Sequence, residues 1–441
     1  MSRLFFLILT LGLFGCVSAH DRQSCVKPRI IVSTDIGGTD PDDNQSMIHL
    51  LMYANEFDIE GLVSSPSFGE GSKEEILRMI ALYASDLQAL SDGLVADCGT
   101  DRGVFPSPEY LASVTRQGAR GRAPHCGFRQ HNEGSDLIIN CARKEDSRPL
   151  WILVWGTLDD VAQALHDAPD IADKIRVYWI GGPNKKWGCN AYSYIAENFP
   201  SLWFIENNAT YRGFIESSAD KSVYGTGFYD SFIKGSGNMG NDFGNYYKGS
   251  VKMGDSPSLF YLMNGDADTP QGEHWGGSFE PVDSLARYII TGPVCRHDTV
   301  ACYSLLEWVL DGPRIDVPAD SVCFTLTIDR QHWSGYYIGD GKYSVRYSPK
   351  APATLPYVIT SEVDGFHGHE GCITVGTKWP ATREYSTVSN TIVARPIAVG
   401  KNWFTDTQDY STTWQGACSI MRHRPEIMND WSKRFGWLRR E

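Results

Sequence analysis

Over the first two thirds of the chain, apolar residues come in short unbroken runs, each closed by glycine, proline or acidic side chains. Residues 30–32, 59–64, 149–156 (PLWILVWG), 176–182 (RVYWIGG) and 202–206 are too short for buried helices. They are rich in β-branched and aromatic side chains, so they predict strands covered on both faces. Helical spacing fills the intervals: residues 47–55, residues 73–90 with Ile76, Leu77, Ile80, Leu82 and Leu87, a helix opening on Glu133-Gly134-Ser135-Asp136, and residues 159–165. Strands alternating with helices at this spacing predict an α/β fold of three layers around a mostly parallel sheet. Residues 98–131 carry Gly, Pro and Arg with little periodicity and predict a long loop overhanging a site. Residues 259–263 read as a further strand, leading into the polar cluster 264–277.

The period then changes. Residues 323–328 alternate apolar and hydroxyl side chains, residues 343–347 alternate again, and turns bearing Pro and Gly separate such runs, so an antiparallel β module is expected. A helical pattern returns at residues 424–437, with Pro425 suited to a first turn. The division that follows is a leader at 1–19, an α/β domain from 28–294 plus 401–441, and an inserted β-rich module at 295–400. Within the module Trp333, Tyr336 and Tyr337 read as aromatic core, with stacking on sugar rings as the alternative.

Composition narrows the class. A chain of 441 residues, 42% hydrophobic and 12% aromatic, has ample material for more than one core. Residues 1–19 carry Arg3, an apolar run and the small-residue exit Val17-Ser18-Ala19, which predicts a secretory signal; a lipid anchor at Cys16 is the lesser reading. No later stretch has the length of a membrane span. Ten cysteines remain beyond the leader, which in an oxidising compartment predicts disulfides, including a staple between Cys323 and Cys372. The net charge of −13 argues against nucleic-acid partners. Asn208-Ala209-Thr210 forms a glycosylation sequon.

The candidate chemistry lies where the first strand ends. Asp35, Asp40, Asp42 and Asp43 crowd into a segment threaded with Gly37, Gly38 and Pro41, at a strand exit where open α/β sheets place their ligands. Such acids repel unless a hard cation with oxygen ligands holds them, and Ca2+ suits them best. Glu133 and Ser135, at a predicted helix start, are candidates for ligand contact or for simple capping.

The segment DIGGTDPDDNQS, together with NEFDIEGL at 55–62, GSDLII, RPLWILVWG, NFPSLWFI and SPSLFYL, resembles the nucleoside hydrolases. It is closer to their divergent relatives described as cellulose-binding than to the catalytic core of the family. The catalytic family ends a strand in an Asp-rich loop that binds Ca2+ and supplies the base. The resemblance implies Asp35 as catalytic base and Asp35 and Asp43 as metal ligands, with the Trp155 carbonyl completing the shell. It also implies Asp42 facing sugar hydroxyls, with Asp40 and Trp275 as further substrate contacts. The family draws a last ligand and a leaving-group acid from a His-Asp segment; Asp266 and His274 of the second polar cluster are the expected counterparts. The chain departs from the family in Ser33, where a leading Asp stands, and in Leu158-Asp159 in place of Thr-Asn. The implied reaction is hydrolysis of an N- or O-glycosyl bond with inversion by an activated water; the alternative is a secreted polysaccharide-binding protein. The expected partners are a small sugar or nucleoside, or a polysaccharide, with homo-oligomerisation left open.

Overall fold

The computed structural model describes residues 27–99, 103–215, 226–377, 388–409, 411 and 413–439. The leader read at 1–19 and Cys25 lie outside these. Strands β1 (Arg29–Thr34), β2 (Asp58–Ser64), β3 (Thr115–Gln117), β4 (Leu150–Val154), β5 (Ile175–Ile180) and β6 (Trp203–Asn207) form a sheet in the order β3-β2-β1-β4-β5-β6. The strand Trp403–Asp406 then adds in parallel beside β6, and β7 (Phe279–Pro281) closes the edge antiparallel to it.

The three layers follow from the pleat. Ile30 and Val32 of β1 pack on one face, among helices α1 (Asp42–Met52) and α2 (Lys73–Cys98) and the C-terminal helix Arg424–Trp437. Ile31 faces the other way, into helices Glu133–Ala142, Asp159–Asp167 and Cys189–Asn198. A central strand covered on both sides has no polar face, which is why β4 reads as a continuous apolar run. Local signals set the helix starts: Ser72 accepts from the Glu75 amide at 3.1 Å, and Asn132 with Ser135 forms a reciprocal cap.

Several expectations are corrected. The segment 98–131 is not one long loop: α2 runs to Cys98, a short helix occupies Pro108–Ser113 and β3 forms the sheet edge. Residues 259–263 are not a strand but part of the helix Pro257–Met263, since a Ser-Pro start favours a helical first turn over a ladder. The sequon at Asn208 is buried, its amide donating to Glu206 at 2.8 Å, so it is closed to a glycan. All nine described cysteines are free thiols. The Cys323–Cys372 staple is ruled out by register. Thr325 lies opposite Thr360 while Cys372 lies opposite Pro356 of the same strand, and Cys323 is farther still along it. At about 3.3 Å per residue that offset exceeds disulfide reach.

Among the described residues a second sheet of nine strands, mainly antiparallel, is drawn from Arg287 to Ala394. Alternation in Val322–Ile328 puts Phe324, Leu326 and Ile328 into its core with Trp308 and Tyr343. Charged groups join it to the first domain: His125 meets Glu307 at 3.1 Å and Lys186 meets Asp329 at 2.7 Å, while Arg346, the cross-strand neighbour of Glu307, holds that carboxylate at 2.9 Å and donates to the His125 carbonyl at 2.7 Å.

Candidate functional site

β1 delivers the acidic segment to the C-terminal edge of the parallel sheet. Gly38 donates its amide to the Asp35 carbonyl at 3.0 Å, closing a tight turn whose third residue, Gly37, has φ +86°. A Cβ there would sit 2.7 Å from the Ser72 Cβ, so glycine is required on both counts. Asp42 and Asp43 are not loop residues but the first turn of α1, where the helix dipole favours negative charge.

The decisive placement is Asp255. One carboxylate oxygen from each of Asp42, Asp43 and Asp255 lies within 4.8 Å of the others. Asp43 and Asp255 are buried, and Asp255 Oδ2 has no hydrogen-bond partner among the described residues. Thr34 donates its hydroxyl to Asp43, and Asp35 is hydrogen-bonded to Asp43 and Ser67. Asp40 stands at the rim, accepting from Tyr247 and from Lys252, the latter at 2.6 Å. These groups open on a cavity of about 470 Å3, walled also by Trp155, Phe68 and Trp187, with Gln331 and Lys350 reaching in from the second sheet.

Crowding shows in the protonation equilibria. Burial pushes Asp42 up to about 7 against the pull of Lys252, with Asp40 and Asp35 adding to the rise. Asp43 and Asp255 are held well above the ordinary carboxylate range, by burial first and by their acidic neighbours second. Burial also raises Asp35, against its bonds to Asp43 and Ser67. Three carboxylates that resist ionising together form a cluster whose crowding a hard cation would relieve.

Other expected residues are placed elsewhere. The helix Pro257–Met263 starts beside Trp155, whose indole donates to Ser258 at 2.8 Å, and runs back towards the N-terminal ends of the strands, where Tyr261 meets Trp151. The loop after it therefore lies at the opposite edge of the sheet, with Asp268 on Arg176. Asp266 is exposed there, accepting from the Thr269 hydroxyl at 2.8 Å, and the acid ahead of the helix, Asp255, occupies the place expected for it. His274 is buried against Tyr261, with ring centroids 4.3 Å apart, and Nε2 faces the Thr269 carbonyl; burial lowers it to about 4. Trp275 is buried, its indole on Glu426 at 3.1 Å. Ser135 is spent on the helix cap, and Glu133 borders a different cavity beside Lys73. Trp155 does line the acidic cavity, its carbonyl accepting from Asn184 at 2.7 Å. Asp255 had a signal in the sequence: Gly254-Asp255-Ser256-Pro257 is an acidic turn opening a helix. Gln331 and Lys350 had none, because only the docking of the second sheet brings them here.

A parallel sheet covered on both faces, with buried acids gathered at the carboxyl end of its first strand, defines an α/β protein of nucleoside hydrolase type. The chain belongs to the family of cellulose-binding Sde182, nucleoside hydrolase-like domains, whose model matches residues 29–279. Residues 299–362 match a domain of unknown function, DUF5060. Among curated proteins none matches the chain. Among solved structures, a nucleoside hydrolase-related protein from Saccharophagus degradans associated with carbohydrate metabolism is 18% identical, with TM-score 0.48, over 80% of this chain and all of that one. An inosine-uridine preferring nucleoside hydrolase from Bacillus anthracis is 14% identical over 59% of this chain and 87% of its own, with TM-score 0.38. A purine-preferring ribonucleoside hydrolase from Gardnerella vaginalis is 14% identical over 58% and 83%, with TM-score 0.35.

Proposed function

We propose that this protein is a secreted glycosyl-bond hydrolase, acting on a nucleoside or another sugar, whose acidic cavity works with a bound Ca2+. The observation that carries this reading is the convergence of Asp42, Asp43 and Asp255, all oxygen donors, one of them with a buried unpartnered oxygen. These three would hold the ion, with the Trp155 carbonyl as a further oxygen at the wall, and a hard cation there acidifies a water at neutral pH. Asp35, hydrogen-bonded to Ser67 at the margin of the cluster, takes the proton of the attacking water. Attack comes from the acidic side of the anomeric carbon, the leaving group departs from the other, and configuration inverts. Asp40 and Lys252 at the rim meet sugar hydroxyls. Secretion belongs to the same reading and rests on the leader at 1–19; no described helix is long and apolar enough to cross a membrane.

A second reading, polysaccharide binding without cleavage, is favoured by one observation. The residue ahead of Asp255 is Gly254, and no histidine lines the cavity among the described residues, so a basic leaving group has no imidazole to protonate it. Wild type and Asp35→Asn, assayed against nucleosides, aryl glycosides and insoluble glucan, separate the two. Hydrolysis predicts turnover that falls by about 10²–10⁴ in the variant with little change in binding. A wild type that retains glucan but turns over nothing ends the hydrolase reading.

A further inference from the structure

Next to the acidic cavity, sharing Ser67, Phe68 and Trp187 as a common wall, is a second cavity of about 310 Å3 between the segment 120–129 and the second sheet. Its character is opposite. Arg120, Arg122, Arg129, Lys186 and Arg346 border it against one acid, Glu70, in a chain whose net charge is −13. Three of the cations are engaged elsewhere: Arg346 with Glu307, Lys186 with Asp329, and Arg129 with the Arg122 carbonyl. Arg120 has only a loose pairing with Glu70, at 3.5 Å, both half-exposed or more. Arg122 is the informative one. Its guanidinium lies 5.6 Å and 5.5 Å from the ring centres of Trp187 and Trp333, and among the described residues no carboxylate lies within ion-pair distance of it. The nearby Asp159 is satisfied by the Thr157 hydroxyl and the Ala123 amide. Trp187 and Trp333 stack on each other at 5.0 Å, and Phe68, 54% exposed, packs against Trp187 at 5.0 Å.

A guanidinium beside two aromatic rings and without a carboxylate partner has donors left for a ligand, and planar bidentate donation is what carboxylate, sulfate and phosphate groups accept. The exposed face of Phe68 offers an apolar shelf to a sugar ring on the path towards the acids. We propose that this cavity binds the anionic substituent of a sugar, with the adjoining ring against Phe68 and Trp187, so that the protein's ligand is an acidic rather than a neutral saccharide. Trp333, Tyr336 and Arg346 come from the segment matching DUF5060, which gives that module a part in recognition. The proposal does not depend on hydrolysis in the acidic cavity.

Calorimetric titration of the full chain with tetragalacturonate and with cellotetraose tests it, in a chelator to silence the acidic cavity. The acidic tetramer is expected to bind at least about tenfold tighter at low salt. Molar NaCl should erase that preference. Arg122→Gln should remove it, Arg122→Lys should restore part of it, and Arg120→Ala should lower it with no loss of melting temperature. Glucuronate, glucose 6-sulfate and glucose 6-phosphate as competitors then rank the three anions. Equal affinity for both tetramers overturns the proposal, as does an acidic preference that survives in a folded Arg122→Gln protein.

Discussion

Replacing Asp255 by Asn tests the acidic cluster most directly, because it has opposite consequences with and without a cation. In chelator, Asp42, Asp43 and Asp255 crowd one buried point, and burial with mutual repulsion holds all three above the ordinary carboxylate range. A carboxylate with a raised folded-state pKa contributes most below its unfolded value and loses that contribution as pH rises through the folded value. The cation-free protein should therefore lose stability from about pH 4 upward, with Asp42 carrying the loss to about pH 7. Asp255→Asn removes one of the repelling charges, so in chelator at pH 8 the variant should melt at or above wild type. Calcium reverses the order. At a hundredfold excess over Kd a ligand stabilises by about 2.7 kcal/mol. At about 2.1 cal/mol/K per residue, a chain of 441 residues has an unfolding entropy of roughly 0.9 kcal/mol/K, so the wild-type Tm should rise by about 3 °C. In the variant the rise should shrink below about 1 °C at the same calcium concentration. Scanning calorimetry at pH 5 and pH 8, with calcium and with chelator, reads all four arms. A wild type indifferent to calcium at pH 8, or a variant less stable than wild type in chelator, refutes the cation site.

Glu307 gives a prediction for the joint between the two sheets. Burial alone would raise it, but His125, Arg346 and Arg287 bring it down to about 2, a stabilisation present above its ordinary value near 4.5 and lost as pH falls from there. Glu307→Gln should cost about 3 kcal/mol at pH 7 and flatten the acid limb of a urea-melt series, and an unchanged limb would deny the linkage. Cys98 and Cys295, both exposed, should react first with a thiol reagent in the native protein, and at least nine thiols should titrate on unfolding without reductant; fewer would mean disulfides after all. Gly118→Ala should destabilise by about 2 kcal/mol or more, since its Cβ would lie 2.4 Å from the Ser64 carbonyl oxygen and 2.3 Å from Asp160 Oδ2; a neutral result in a thermal melt would show that the β2–β3 edge yields.

The sequence by itself determined the layers. Ile30, Ile31 and Val32 form an unbroken apolar run because a central parallel strand meets a helix on each face, and the same pattern recurs in β4 and β5, so strand order aside, the fold class was legible. The acidic segment was legible for a related reason: charged residues packed directly after a buried strand have few uses other than a ligand. What lay beyond reach was direction and distance. Whether residues 257–263 were a strand or a helix decided which end of the sheet the following loop would meet, and a seven-residue apolar stretch does not carry that information. As a helix it set Asp255 beside Asp42 and Asp43 and took Asp266 and His274 to the far edge. Trp403–Asp406 completes the first sheet from the end of the chain, and Gln331, Lys350, Trp333 and Arg346 reach the two cavities only through the docking of the second sheet. Such contacts join residues far apart in sequence, and local periodicity records only which side of its own element a residue occupies.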